Sequence, residues 1–219
     1  MKKIIVTGAN RGIGLELSRQ LTERGDQVTA LCRRSSPGLD ALGVRVIQGV
    51  DVCDSSALRG LADQLEEPIY DWLINNAGIL VRETLDALDF DSMERQFQVN
   101  SMGPLRVTAA LLPKLGAGSK IGIITSRMGS IDDNTSGGYY GYRMSKAAVN
   151  IAGKSLAVDL APRKISVGIL HPGMVATEMT NGVGVPVAHS ACGLIARMEG
   201  LDRDNSGSFW HAEGDQLPW

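Results

Sequence analysis

The sequence predicts an α/β fold: a doubly wound parallel sheet with helices on both faces, in one domain spanning residues 1–219. Three observations carry this. Short apolar runs alternate with helix-period segments from end to end, the pattern of a parallel sheet covered on both faces. A length of 219 residues allows one sizeable core and is short for two. The glycine- and polar-rich stretches each follow a predicted strand, where open parallel sheets bind ligands.

Residues 4–6 are a short apolar run before a glycine turn and read as a buried strand. Ile13, Leu17 and Leu21 then recur at helical spacing, with Gly25 as a stop. Residues 28–32 and 44–50 read as the second and third strands. Asp54 is a plausible N-cap for a helix carrying Leu58, Leu61 and Leu65. Residues 69–74 are a fourth strand, followed by a long helix over 91–112. A fifth strand at 121–125 precedes a helix rich in small residues at 142–160. Residues 165–170, 187–198 and 207–211 read as a sixth strand, a last helix and an edge strand. Right-handed crossovers make this a doubly wound sheet.

Composition is that of an ordinary soluble domain, with 43% hydrophobic and 21% charged residues. A net charge of -2 gives no reason to expect nucleic acid or an anionic membrane as partner. Cys32, Cys53 and Cys192 are scattered and form no CxxC pair. Neither disulfides nor zinc is expected, and a cytoplasmic compartment fits. The apolar run after Lys2-Lys3 ends at Thr7-Gly8, too short for a signal peptide, and no run approaches a membrane span.

Thr7-Gly8-Ala9-Asn10-Arg11-Gly12-Ile13-Gly14 joins the first strand to the first helix. Glycine there permits a tight turn, close backbone approach to a pyrophosphate, and close helix–strand packing. The helix N-terminus offers free N–H groups to the phosphates. The turn therefore reads as a Rossmann-like dinucleotide site with Gly8, Asn10, Arg11, Gly12, Ile13 and Gly14 around the ligand. Its spacing is G-x-x-x-G-x-G, and a purely structural glycine turn is the alternative. Arg33 stands just past the second strand, where an acidic residue would bind a ribose 2′-hydroxyl. A basic group there suits a 2′-phosphate. With Arg11, and Arg34 in reserve, it points to NADP(H) over NAD(H).

Tyr142 and Lys146 lie four residues apart, on one face of a helix. A free tyrosine has a pKa near 10, and a nearby ammonium is expected to lower it. Tyr142 would then exchange a proton with a carbonyl or alcohol oxygen. Ser126, ending the fifth strand, is the candidate to hold that oxygen. Tyr139 and Tyr140 stand close by but have no lysine four residues on. A partly buried aromatic with a satisfied hydroxyl is the alternative for Tyr142.

Thr7-Gly8-x-x-x-Gly12-x-Gly14, Asn75-Asn76-Ala77-Gly78, Asn100, Ser126, Tyr142-x-x-x-Lys146 and Pro172-Gly173 occur in that order. Together they resemble the short-chain dehydrogenase/reductase family over nearly the whole chain. Met128-Gly129-Ser130-Ile131 and Gly214-Asp215-Gln216-Leu217-Pro218-Trp219 resemble its C-factor and sniffer-like carbonyl reductase branch. The resemblance implies that Asn100 holds a water in a proton relay behind Lys146. It implies that Ser126 orients the substrate carbonyl, that Tyr142 is acid or base, and that Lys146 also binds the nicotinamide ribose. Asn76, Ala77 and Gly78 would line the adenosine side, with Asp51 and Val52 on the adenine. Pro172, Gly173 and Val175 would flank the nicotinamide, with Thr177 near its carboxamide.

Two departures from the family pattern matter. Residues 132–138 look like a small insertion between Ser126 and Tyr142, which leaves Ser130 as a rival serine. Only about ten residues separate Thr177 from the next helix. A lid that short implies an open pocket for small or varied carbonyl compounds. His171, His189 and His211 are widely spaced with no metal-ligand pattern, so no metal is expected, and His171 reads as structural. The small-residue helices around Asn100 and Tyr142 allow a homo-oligomer face or internal packing.

The combined reading is an NADP(H)-dependent oxidoreductase that interconverts a small carbonyl compound and an alcohol. A cofactor-binding sensor with vestigial residues, and an isomerase or dehydratase on the same fold, are the alternatives. Replacing Arg11 and Arg33 together with Ala should weaken NADPH binding by roughly 10- to 100-fold while leaving NADH little changed. Titration of both cofactors measures this, and equal losses would sink the 2′-phosphate assignment.

Overall fold

A computed structural model describes residues 1–219. Seven strands form one sheet: β1 (Lys3–Thr7), β2 (Gln27–Leu31), β3 (Arg45–Ile47), β4 (Tyr70–Asn75), β5 (Leu115–Ile124), β6 (Ser166–His171) and β7 (Phe209–His211). Their order is β3-β2-β1-β4-β5-β6-β7, and every neighbouring pair is parallel. The helices are α1 (Gly12–Glu23), α2 (Pro37–Asp40), α3 (Ser55–Leu58), α4 (Phe90–Phe97), α5 (Gly103–Leu111), α6 (Tyr140–Leu160) and α7 (Val187–Gly200). The predicted doubly wound α/β fold is what is found. Strand order reverses between β1 and β4, which opens a crevice at their carboxyl ends.

Side-chain alternation divides the core between the two faces of the sheet. Ile4, Val6, Trp72 and Ile74 point to one side, where Leu17 and Leu21 of α1 and Leu194 and Met198 of α7 cover them. Ile5, Leu73, Ile121 and Ile123 point to the other, under Val107 and Leu111 of α5 and Val149 and Leu160 of α6. Strands buried on both faces are why the runs read as continuously apolar.

Four expectations needed correction. The helix after Asp54 is one turn: Asp54 caps it as expected, but Arg59 is extended and Gly60 sits at φ 71°. Leu58, Leu61 and Leu65 are still buried, through an irregular path containing a short 3₁₀ turn. The helix expected over 91–112 is two helices joined by a π turn, Gln98–Met102. Pro104 has no N–H and its ring crowds the carbonyl four residues back, that of Asn100, so the regular ladder cannot continue. The third strand is only three residues long and gives way to a turn with Gly49 at φ 77°. The fifth begins earlier, at Leu115, with a register shift against β4 between Tyr70 and Trp72. The short helix α2, capped by Ser36, was not anticipated.

The small residues of α6 are used inside the chain. A Cβ on Gly141 would stand 2.8 Å from Met93 Cγ, and one on Gly153 would stand 2.7 Å from Ile169 Cγ1. Gly14 is tighter still, since a Cβ there would lie 2.3 Å from the Gly8 carbonyl oxygen and 2.5 Å from Asn76 Nδ2. Gly14→Ala is therefore expected to cost about 1–3 kcal/mol through overpacking, read as a lowered melting temperature. Gly200→Ala, where nothing lies within 4 Å, should leave it within error.

Candidate active site

Three elements bring the glycine turn into the crevice. Gly8 at φ 63° and Gly12 at φ 53° turn the chain from β1 into α1 in a conformation that L side chains rarely adopt. Thr7 ties this turn to the end of β4: its Oγ1 accepts the N–H groups of Asn76 at 2.9 Å and Ala77 at 3.1 Å. Asn76 Nδ2 returns the contact by donating to the Thr7 carbonyl at 3.0 Å. Thr7 belongs to the glycine motif, but its role as a clamp was not anticipated.

The ends of β2 and β3 form the next wall. Arg33 is exposed at the cleft, beside buried Cys32. Arg11 reaches across the cleft mouth to Glu178, with Nη1 2.6 Å from Oε2, and both side chains are largely exposed. Exposed ion pairs contribute little, so Arg11 can exchange this partner for another anion at small cost. Asp51 spends one carboxylate oxygen on the N–H of Cys53 at 2.9 Å, which shapes its own turn. Val52 packs where Gly103 has no side chain, since a Cβ there would be 2.9 Å from Val52 Cγ2.

Ser126, Tyr142 and Lys146 meet where β5 and α6 converge. Gly129 lets the segment after β5 lie directly on α6, since a Cβ there would be 2.6 Å from the Lys146 carbonyl carbon. A buried brace holds the junction: Thr125 Oγ1 donates to Asn150 Oδ1 at 2.6 Å, and Asn150 Nδ2 donates to the Gly129 carbonyl. Ser126 caps the following turn by accepting the Met128 N–H at 3.1 Å, and its hydroxyl favours the ionised form of the Tyr142 phenol. Ser130 is buried and its hydroxyl accepts the Asp133 N–H at 3.1 Å, while Ser126 is the one whose hydroxyl acts on the Tyr142 phenol. Lys146 donates from Nζ to the Ile124 carbonyl at 3.0 Å and lies 5.6 Å from the Tyr142 ring centroid.

Burial governs the titration of this pair. It pushes the Tyr142 phenol up to about 12, against a smaller opposing pull from the Ser126 hydrogen bond. It pushes Lys146 down to about 8. The expected lowering of Tyr142 by Lys146 is thus not found: desolvation dominates, and the only opposing pull comes from Ser126. At neutral pH the pair is a protonated phenol beside a mostly protonated amine. Asn100 commits its side chain to protein: Oδ1 accepts the Ile79 N–H, while Nδ2 donates to the Ile79 carbonyl and to Ser145 Oγ. It fixes the backbone facing Lys146, and a Cβ on Gly78 would lie 3.3 Å from Asn100 Oδ1 and 3.8 Å from Lys146 Nζ.

After β6, Pro172 and Thr177 line the cleft, while Gly173 and Val175 lie behind it. Val175 is buried, and its carbonyl accepts the Thr180 hydroxyl at 2.6 Å. The Thr177 methyl is placed 3.5 Å from a Cβ built on Gly12, so it faces the glycine turn. The segment to α7 is pinned: Ala176 N–H donates to the Val185 carbonyl and Val185 N–H to the Met174 carbonyl. His171 is buried, its ring T-shaped against His211 at 4.9 Å, and burial pushes it down to about 3.

Together these elements enclose a cleft of about 1130 Å³. Gly8, Asn10, Arg11, Gly12, Ile13, Arg33, Asp51, Val52, Asn76, Ala77, Gly78, Tyr142, Lys146, Pro172 and Thr177 line it. Gly14, Asn100, Ser126, Gly173 and Val175 stand just outside the lining and shape it. Sequence reasoning missed Leu31, Ile79, Val99 and Glu178, which also face the cleft. For Leu31 and Ile79 the signal was available, since each adjoins a strand end. No three His, Cys, Asp or Glu side chains are grouped to hold a metal, the cysteines are free, and no helix is long and apolar enough to cross a membrane.

A nucleotide-sized cleft at a sheet's switch point, with a buried Tyr–Lys pair at its inner end, defines the class: a dinucleotide-dependent α/β oxidoreductase. Residues 2–185 match the short chain dehydrogenase family, and the chain belongs to it. It is 42% identical, over 100% of both chains, to a 1-hydroxy-2-glutathionyl-2-methyl-3-butene dehydrogenase of Rhodococcus sp.. It is 44% identical to C-signal of Myxococcus xanthus over 74% of this chain and 100% of that one. Among solved structures, carbonyl reductase Sniffer of D. melanogaster superposes with a TM-score of 0.93 at 30% identity, covering 100% of both chains. A carbonyl reductase from Pseudomonas aeruginosa PAO1 in complex with NADP gives 0.88 at 32%, also covering 100% of both. The expected resemblance to the C-factor and sniffer-like branch is borne out.

The buried ammonium has a measurable cost. Lys146 falls from 10.5 to about 8, so holding its charge costs the folded state about 3 kcal/mol below pH 8. That cost fades as pH rises from about 8 to 10.5, where the unfolded lysine also loses its proton. Lys146→Met should therefore stabilise the cofactor-free protein at pH 7, less what the lost Ile124 hydrogen bond contributes. Melting curves at pH 7 and pH 10 should show the gain shrinking; a gain that grows with pH would refute the burial argument.

Proposed function

We propose that this chain is an NADP(H)-dependent carbonyl reductase in which Tyr142 is the proton donor. The observation that carries it is the buried Ser126–Tyr142–Lys146 cluster at the inner end of a cleft that begins at the glycine turn. The cleft fits a dinucleotide. Gly8 and Gly12 free the turn of side chains, Arg11 and Arg33 supply cations at the outer end, and Asp51, Val52, Asn76 and Ala77 form the walls between. The NADP-bound relative of the same fold supports the phosphorylated cofactor.

When bound, NADPH supplies hydride. The chain's own residues do the rest. Ser126 orients the substrate oxygen, and Tyr142, protonated across the neutral range, donates its proton to that oxygen. Lys146, charged at neutral pH, stabilises the phenolate left behind and binds the nicotinamide ribose. Asn100 holds Ile79 and Ser145 in register around it. The pinned segment after Thr177 is short, and exposed Met174, Met179 and Val183 leave an open apolar rim. That supports small or varied carbonyl compounds as substrates. The Rhodococcus relative is named for oxidising an alcohol, which supports the reverse direction on the same residues.

Tyr142→Phe should lower kcat by about 10²- to 10⁴-fold with NADPH affinity unchanged. The assay follows NADPH oxidation against aldehydes, ketones and quinones, with cofactor fluorescence reporting binding. Retained activity would remove Tyr142 as the donor. Cofactor binding without turnover on any substrate would favour a sensor, and product formation without net NADPH loss an isomerase.

A further inference from the structure

Helix α6 carries Tyr142 in its first turn but begins without a cap of its own. Tyr139, the residue before it, stands at φ 52°, and its side chain makes no capping bond. A bulky residue in the left-handed region must be held there by its surroundings. Gly137 and Gly138 precede it at φ 61° and 62°, so three left-handed residues in a row lead into the helix. The first-turn N–H groups still need acceptors.

Glu83, in the segment between β4 and α4, supplies one of these acceptors and a second for the N–H of the residue just ahead of the helix. Its main-chain carbonyl accepts the Tyr139 N–H at 3.0 Å, and its carboxylate Oε2 accepts the Gly141 N–H at 3.3 Å. The other carboxylate oxygen accepts from the side-chain amide of Gln96 on α4, whose own oxygen accepts the Val81 N–H at 2.9 Å. The Arg82 guanidinium lies 5.1 Å from the Tyr139 ring centroid and closes the clamp from outside. Glu83 is 2% exposed and Gln96 is 0% exposed. A carboxylate so buried needs compensation, and the positive end of a 21-residue helix provides it. The fit leaves no slack, since a Cβ on Gly141 would stand 2.7 Å from Gln96 Nε2.

We propose that Glu83 is a positioning residue for Tyr142: its carboxylate, aligned by Gln96, caps α6 and fixes where the phenol stands against Ser126. The proposal rests on the reading of Tyr142 as proton donor. The test combines steady-state kinetics, with NADPH and 4-nitrobenzaldehyde as probe, and amide hydrogen exchange at Gly141. Glu83→Ala should lower kcat about 10- to 100-fold while the KM for NADPH stays within about twofold. Gly141 exchange should accelerate in the same variant. Glu83→Gln, which keeps one acceptor for the Gly141 N–H but sets its amide against that of Gln96, should recover part of the lost kcat. In a Tyr142→Phe background Glu83→Ala should add little, because it acts through the phenol. If Glu83→Ala does not fold, Glu83→Gln and Gln96→Ala carry the test, with Gln96→Ala expected to lower kcat and speed Gly141 exchange to a smaller extent. A folded Glu83→Ala with wild-type kcat, or with unaltered Gly141 exchange, would overturn the proposal. So would parallel losses of kcat and NADPH affinity that Glu83→Gln does not recover. Full activity in Tyr142→Phe alone would overturn the donor reading on which it rests, whereas unchanged Gly141 exchange overturns the cap itself.

Discussion

The site depends on one constraint: two ionisable side chains, Tyr142 and Lys146, are held on one turn of helix and almost wholly buried. Desolvation keeps the phenol protonated and makes the ammonium costly. On the proposed reading the phenol holds its proton at neutral pH, and the neighbouring Lys146 ammonium must stabilise the phenolate that burial alone would disfavour. The cost is structural, and the surrounding architecture offsets it. Gly129 brings the end of β5 onto α6, and the Thr125–Asn150 brace locks that contact. The Ile124 carbonyl gives Lys146 its hydrogen bond.

The sheet's switch point does the complementary work at the other end of the cleft. Thr7, Gly8, Gly14 and Asn76 bind the first turn to the end of β4 so closely that no side chain can intervene. Arg11 and Arg33 are left at the exposed mouth, where charges are cheap to keep and easy to exchange. The cleft thus grades from an exposed, cationic entrance to the buried Tyr142–Lys146 pair. A charged dinucleotide with a reactive ring at one end fits that gradient.

Much of this was legible in the sequence because the informative residues are close together in it. The glycine turn, the Tyr–Lys spacing and the Asn-Asn-Ala-Gly run are local patterns, each after a strand whose apolar run is unambiguous. What was not legible depends on distant partners. Nothing near Thr7 announces its bonds to Asn76 and Ala77, and nothing near Glu83 announces a helix start 58 residues on. Helical periodicity over 91–112 hid the π turn, because five residues wound more loosely preserve the apolar stripe, although Gly103-Pro104 was a visible warning. The titration of Tyr142 was misjudged for a physical reason: spacing reveals a neighbouring charge, but burial is a property of the fold.

The most direct test is the ionisation of Tyr142 itself. In cofactor-free protein carrying ¹³C-labelled tyrosine, with Tyr142 assigned by its Phe variant, the ring carbon bearing the hydroxyl is followed by NMR from pH 6 upward. The account predicts that Tyr142 remains a neutral phenol beyond the pH at which exposed tyrosines ionise. A phenolate signal from Tyr142 near neutral pH would contradict it, and would make Tyr142 a preformed base in place of a proton donor.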